Sequence, residues 1–174
     1  DKKEGKPDQS GYHLILLAKN LEGYHNLCKM VSYSFTEGFY YKPRIDKQLI
    51  EQYHEGLICC SACLGGEVPQ AIMHNDIEEA ERVVQWFKNI FGEDYYLELQ
   101  LHPSGDPQKD ADVYENQLRV NKVILELAAK YGVKYICSND VHFILAEDAV
   151  AHDHLICLNT GRDLDDPNRM RYTF

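Results

Sequence analysis

Tyr95-Tyr96-Leu97-Glu98-Leu99-Gln100-Leu101-His102, followed by Asp112–Tyr131 and then by Val133-Lys134-Tyr135-Ile136-Cys137-Ser138, decides the fold of this chain. The first segment alternates strictly. Leu97, Leu99 and Leu101 fall on one side, and Glu98, Gln100 and His102 on the other, the period of a half-buried strand. Pro103-Ser104-Gly105-Asp106-Pro107 breaks it into a loop. Asp112–Tyr131 has the spacing of an amphipathic helix, with Leu118, Ile124, Leu125 and Ala128 expected toward the core and Gly132 as its stop. Val133–Ser138 is again a strand. A strand, a crossover helix and a strand in this order predict parallel pairing with a right-handed connection.

Elements of the same two kinds fill the chain on either side. Tyr12–Ala18 reads as a buried strand. Leu21–Tyr33 reads as a helix with Leu21, Tyr24, Leu27, Cys28 and Val31 on one side. Gly38–Asp46 is aromatic and irregular, and Asp46 caps a short helix over Lys47–Tyr53. Gly56–Cys60 is a strand, Gly65-Gly66 a turn, and Val68–His74 a short helix with Pro69 in its first turn. Asn75 or Asp76 caps a longer helix that ends at Phe91 before Gly92. Glu147–Leu158 is a last helix, closed by Gly161. The pattern predicts an α/β fold with mainly parallel strands, a partial and distorted TIM-like αβ barrel. Residues 1–11 are expected to be a flexible leader, and residues 12–174 one domain or part of one.

A formal net charge of −10 argues against autonomous binding to nucleic acid, which requires cations against phosphates. It leaves room for an acidic metal pocket acting on a phosphate ester. No stretch is long and apolar enough to span a membrane and no signal peptide is visible, so a cytoplasmic protein with no membrane partner is expected. The six cysteines fit a reduced protein, and Cys60-Ser61-Ala62-Cys63 is read as buried structural cysteine despite its CxxC form. Ser61 and Cys63 have no recognisable base in the sequence and are not assigned as nucleophiles. Lys42 and Arg44 are read as a solvated loop.

In αβ folds of this kind, chemistry gathers at the C-terminal ends of the strands. Asp140-Val141-His142 follows one such end, and residues i and i+2 of a strand leave it on the same side. A carboxylate and an imidazole together suit a hard or borderline divalent metal. Glu67 follows another strand, and His102 ends a third. The same residues also fit a capping Asp and a surface His, a solvated strand face for Glu98 and His102, and a helix N-terminal charge for Glu67.

Several longer stretches add a resemblance. They are His13-Leu-Ile-Leu-Leu-Ala-Lys-Asn20 with Gly23-Tyr24 and Asn26-Leu27, Gly38-Phe-Tyr-Tyr-Lys-Pro-Arg-Ile-Asp46, and His54-Glu-Gly-Leu-Ile58. Ser61-Ala-Cys-Leu-Gly-Gly-Glu67, Leu97-Glu-Leu-Gln100 with His102, Ser138-Asn-Asp-Val-His142, and Glu147-Asp148 with Ala151-His152-Asp153 complete the set. Together they resemble the PHP (polymerase and histidinol phosphatase) domain of bacterial replicative DNA polymerase III alpha subunits. The resemblance implies a distorted barrel binding up to three metals, with Glu67, His102, Asp140 and His142 as ligands and a water activated by the metals as nucleophile. No side chain of the chain itself is assigned a catalytic role. His152-Asp153-His154 lies in an expected helix and is not assigned.

The family's early His-x-His ligands and first strands are not found in this sequence, nor is the acidic triad of a polymerase palm. The chain starts without Met and ends in Arg171-Tyr172-Thr173-Phe174, so it is read as the C-terminal part of a PHP domain continuing into polymerase regions. The resemblance then implies a parent that is a DNA-directed DNA polymerase, a nucleotidyltransferase of chromosome replication. Its PHP module would be of the metal-dependent phosphoesterase type, a proofreading 3′–5′ exonuclease in some relatives and structural in others. Zn, Mn or Mg is expected in the complete parent and weak or absent binding in the chain alone, which is expected to be inactive. DNA and replisome subunits are partners of the complete parent. The alternatives are a free-standing phosphatase for a small monoester such as histidinol phosphate, and a non-catalytic scaffold module of the polymerase.

Overall fold

The structure is a computed structural model and describes residues 11–103, 113–167 and 169. The leader expected before Gly11, the loop after Pro103 and the residues from Met170 on lie outside the described residues. Four strands, β1 (Ile15–Ala18), β2 (Leu57–Cys60), β3 (Tyr95–Leu99) and β4 (Lys134–Cys137), form one sheet in the order β1-β2-β3-β4. Six helices accompany them among the described residues: α1 (Leu21–Thr36), α2 (Lys47–Tyr53), α3 (Glu67–Met73), α4 (Ile77–Phe91), α5 (Tyr114–Tyr131) and α6 (Asp148–Thr160). The α/β class expected from the sequence is the one found.

β2 and β3 pair parallel, with Cys59 opposite Tyr95 and Cys60 opposite Tyr96, and α3 and α4 form the crossover between them. β1 is the exception to parallel order. It runs against β2, with Ile15 opposite Cys60 and Ala18 opposite Leu57. The reason is the two-helix connection, which returns the chain to the end where β1 stopped. The Lys19 N–H, just past β1, donates to the carbonyl of Gly56, just before β2, at 2.8 Å.

The described chain divides into two compact units. The first runs to Leu99 and takes in Val120–Ile136; the second comprises Gln100–Arg119 and the residues from Cys137 on. The first unit holds a continuous apolar core that includes Met30, Leu57, Val68, Val84, Leu97 and Ile124. The Phe87 ring stacks on Tyr95 with centroids 5.4 Å apart and on Phe91 at 6.4 Å. In the second unit α6 buries Ile156 and Cys157. There the nearly buried guanidinium of Arg169 pairs with Asp153 and donates to the Leu164 carbonyl at 2.7 Å.

Local chemistry sets the helix ends. The side chains of Asn20, Asp46 and Asp76 accept the amides of Gly23, Leu49 and Glu79 at 2.9 Å each, which caps α1, α2 and α4. Gly92, at φ +55°, stops α4.

Helix faces differ from expectation. α1 buries Gly23, Asn26, Met30 and Ser34, while Leu21, Tyr24, Cys28 and Val31 are exposed. The cause is a close approach to the turn before β2. A Cβ on Gly23 would stand 1.9 Å from the Gly56 carbonyl oxygen, and Asn26 donates its amide to the Glu55 carbonyl at 3.0 Å. The backbone contact selects the small, polar face of the helix. In α5, Ile124 and Ala128 are buried as expected, but Val120 and Leu127 join them and Leu118 and Leu125 are exposed. Leu16 of β1 and Leu14 just before it pack against the core, leaving Ile15 and Leu17 outside, and Val133 rather than β4 itself is buried.

Gly23→Ala tests this packing. Helix propensity alone favours Ala by about 1 kcal/mol. The clash with Gly56 reverses the sign, and urea denaturation should show a loss of about 1–3 kcal/mol. An unchanged or raised midpoint would contradict the close approach.

Candidate functional site

Three of the four candidate ligands lie in the second unit. His102 follows β3, and its backbone N–H donates to Gln117 Oε1 at 2.7 Å. The Gln117 amide nitrogen stands 2.9 Å from His102 Nδ1, and Gln117 is itself buried. His102 Nε2 accepts the Asp140 N–H at 3.1 Å. The Asp140 amide therefore holds the ring at Nε2, and Gln117 holds the residue through its backbone N–H. Gln100 donates to the Ser138 hydroxyl at 3.2 Å, a second link between the segments that carry His102 and Asp140.

Asp140 and His142 lie beyond β4, so strand parity does not place them. A tight local contact does. His142 Nδ1 donates to the Asp140 carbonyl at 2.9 Å, and the same nitrogen is 3.8 Å from the Asp140 carboxylate. A carbonyl only accepts, so the proton sits on Nδ1 and the lone pair of the neutral ring is on Nε2. Ligating histidines are commonly held this way, by a hydrogen bond from the ring nitrogen that does not touch the metal. The His142 ring also lies 5.7 Å from that of His152, and Phe143 lies 5.4 Å from His152.

Glu67 belongs to the first unit, where it opens α3. Its carboxylate is 2.7 Å from Lys47 Nζ. Both border a cleft of about 200 Å³ that is also lined by Tyr12, His13, Asp46 and Phe87. His13, which lines the cleft, makes a contact that was beyond the reach of sequence: its Nδ1 lies 3.4 Å from Cys63 Sγ. Fifty residues separate the pair, and only the β1–β2 pairing and the bridge from His13 to Gly66 bring them together.

Two imidazoles and two carboxylates are the right donors for a divalent metal. Among the described residues no three His, Cys, Asp or Glu side chains form a group that could hold an ion. The Nε2 lone pair of His102 faces an amide, and Glu67 is paired with a lysine.

Glu98, the other polar residue of the alternating strand, is buried rather than solvated, at 7 % exposure. The Ser61 hydroxyl accepts its N–H at 2.9 Å. Burial pushes the Cys59 thiol far up, and burial followed by the Glu98 charge pushes Cys60 up to about 11. Both are therefore neutral thiols, as structural cysteines should be. The Tyr95 phenol is also driven well up, mainly by burial.

The chain belongs to the PHP domain family: the family's model matches residues 3–102. Asp140 and His142 lie after that match. The chain is 46% identical over 170 residues to the DNA polymerase III subunit alpha of Borreliella burgdorferi, covering 98% of the chain and 14% of that protein. It is 41% identical to the proteins of the same name from Chlamydia pneumoniae, over 92% of the chain and 14% of the relative, and Thermus aquaticus, over 99% and 13%. The chain thus spans about one seventh of the length of these relatives. No helix among the described residues is long and apolar enough to cross a membrane.

The thiols predict an alkaline weakness. The unfolded chain ionises its thiols near about pH 8.5. The folded state holds the Cys60 proton to about 11. The contribution is intact below the unfolded value and is lost as pH rises through the folded one. Denaturant titrations between pH 8 and 11 should show falling stability, with a slope shallower in Cys60→Ala by up to about 1.4 kcal/mol per pH unit. Equal slopes would contradict the buried neutral thiol.

Proposed function

We propose that this chain is the PHP part of a DNA polymerase III alpha subunit, a polypeptide that synthesises DNA on a template in bacterial chromosome replication. The observation that carries the reading is the 46% identity to such a subunit over 98% of the chain. It favours the polymerase branch over a free-standing monoester phosphatase. DNA and the other replisome subunits are then partners of the complete polypeptide, and the cytoplasm is its compartment. The net charge of −10 fits a module that does not itself bind nucleic acid.

Within it, Glu67, His102, Asp140 and His142 are the metal ligands contributed by this chain, for Zn, Mn or Mg. The bound ions would polarise a phosphoryl oxygen and lower the pKa of water, the chemistry of a phosphoesterase or 3′–5′ exonuclease. The residues of the chain have narrower tasks. The Asp140 carbonyl fixes the His142 tautomer, and Gln117 positions His102 through its backbone N–H. His102 must give up its contact with the Asp140 amide, and Glu67 its lysine, before either can coordinate. Metal binding by the chain alone is accordingly weak.

His142→Ala in the complete polypeptide tests the assignment. Metal content by plasma mass spectrometry and any exonuclease activity should fall about tenfold or more, with nucleotide incorporation largely kept. Unchanged metal content would remove His142 from the ligand set. The purified chain itself should give no template-dependent extension of a primer with dNTPs and magnesium. Extension would show that a polymerase site lies within these residues.

A further inference from the structure

Glu98 Oε2 accepts the N–H of Ala62 at 2.9 Å, from a buried position on β3. Ala62 sits at φ +63°, where the Cβ of an L-residue crowds the following carbonyl. In return the Ser61 hydroxyl accepts the Glu98 N–H at 2.9 Å, and the Ser61 N–H donates to the Tyr96 carbonyl at 3.0 Å. Three bonds therefore tie Ser61 and Ala62 to the strand beside them.

The chain beyond Ala62 is tightly routed. The Gly66 N–H donates to the Cys63 carbonyl at 2.8 Å, and the Gln70 amide to the Leu64 carbonyl at 2.7 Å. The His13 N–H donates to the Gly65 carbonyl at 2.9 Å. A Cβ on Gly66 would stand 2.1 Å from the Ser61 carbonyl oxygen, so the turn closes on its own first residue. This path sets Cys63 against His13 and starts α3 at Glu67.

We propose that Glu98 is a positioning residue: its buried carboxylate holds Ala62 in the left-handed conformation and thereby fixes where Cys63 and Glu67 stand. A buried acid on a backbone amide is a costly device for closing a turn, because an unmade bond leaves the group desolvated. A glycine at position 62 would take the same conformation unaided. The acid thus does by hydrogen bonding what the side chain at 62 opposes by sterics.

The test is a cycle on the 174-residue chain. Cys63 is alkylated with iodoacetamide and its rate is read by site-resolved mass spectrometry, with exposed Cys28 as the internal reference. Without the acceptor, the left-handed state of Ala62 loses population by roughly 5- to 30-fold. Glu98→Ala should raise the Cys63 rate about fivefold or more against Cys28. Glu98→Gln keeps an acceptor oxygen and should stay within about twofold of the unchanged chain. Ala62→Gly should abolish the sensitivity, so that A62G and A62G/E98A agree within about twofold. Equal rates in the unchanged chain and E98A would overturn the proposal. So would a rise of the same size in the A62G background. Should circular dichroism show E98A unfolded, A62G against A62G/E98A decides: agreement supports the role and a fivefold gap refutes it.

The consequence for Glu67 as a ligand rests on the function proposed above, and there E98A should also lower the metal content of the complete polypeptide. An unchanged complete polypeptide that retains no metal would refute the ligand assignment proposed above. The alkylation cycle involves no metal and would still decide the role of Glu98.

Discussion

The parallel pairing of β2 with β3, closed at its end by the exchange of hydrogen bonds between Ser61-Ala62 and Glu98, is the constraint on which the first unit depends. It places Cys59 beside Tyr95 and so lets Phe87 of α4 stack on that ring. It also fixes the turn from which α3 departs. β1 then docks against the free edge of β2, and α1 follows through the contact of Gly23 with Gly56. Were the register to slip by one residue, the side chains of β3 would change faces and Glu98 would leave its amide.

The donors follow the same logic at smaller scale. His102 is held by Gln117 through its backbone N–H and by the Asp140 amide at its ring, and His142 by the Asp140 carbonyl. Backbone groups of one residue thus hold two imidazoles. The Asp140 carbonyl and N–H thereby fix the orientation of both rings, although Asp140 lies outside a regular strand. Glu67, in the first unit, has its own ion pair with Lys47, whose amine also stands 5.1 Å from the centre of the Trp86 ring.

Much of the fold was legible in the sequence. Asp46 and Asp76 as caps and Gly92 as a stop are readable because caps and left-handed ends depend on a few adjacent atoms. The alternation of strands and helices is readable because period is local. The faces of α1 and α5 were not. Apolar spacing marks residues that avoid water, and on α1 the tightest packing goes instead to glycine and asparagine against a backbone turn. The burial of Glu98 was not legible for a related reason. Strict alternation says which residues share a side but not that a polar side is buried, and its partners are 36 and 37 residues away. For the candidate site the sequence offers donor types and no geometry. The contact of Cys63 with His13 depends on strand pairing that no spacing reveals.

We propose that Glu67, His102, Asp140 and His142 bind metal in the complete polypeptide. The most direct measurement is a crystal structure of that polypeptide with anomalous data collected at the zinc and manganese edges. The account predicts anomalous peaks bounded by Glu67, His102, Asp140 and His142, with ligand distances of about 2.0–2.3 Å. Peaks elsewhere, with these four side chains turned to different faces of the fold, would contradict it.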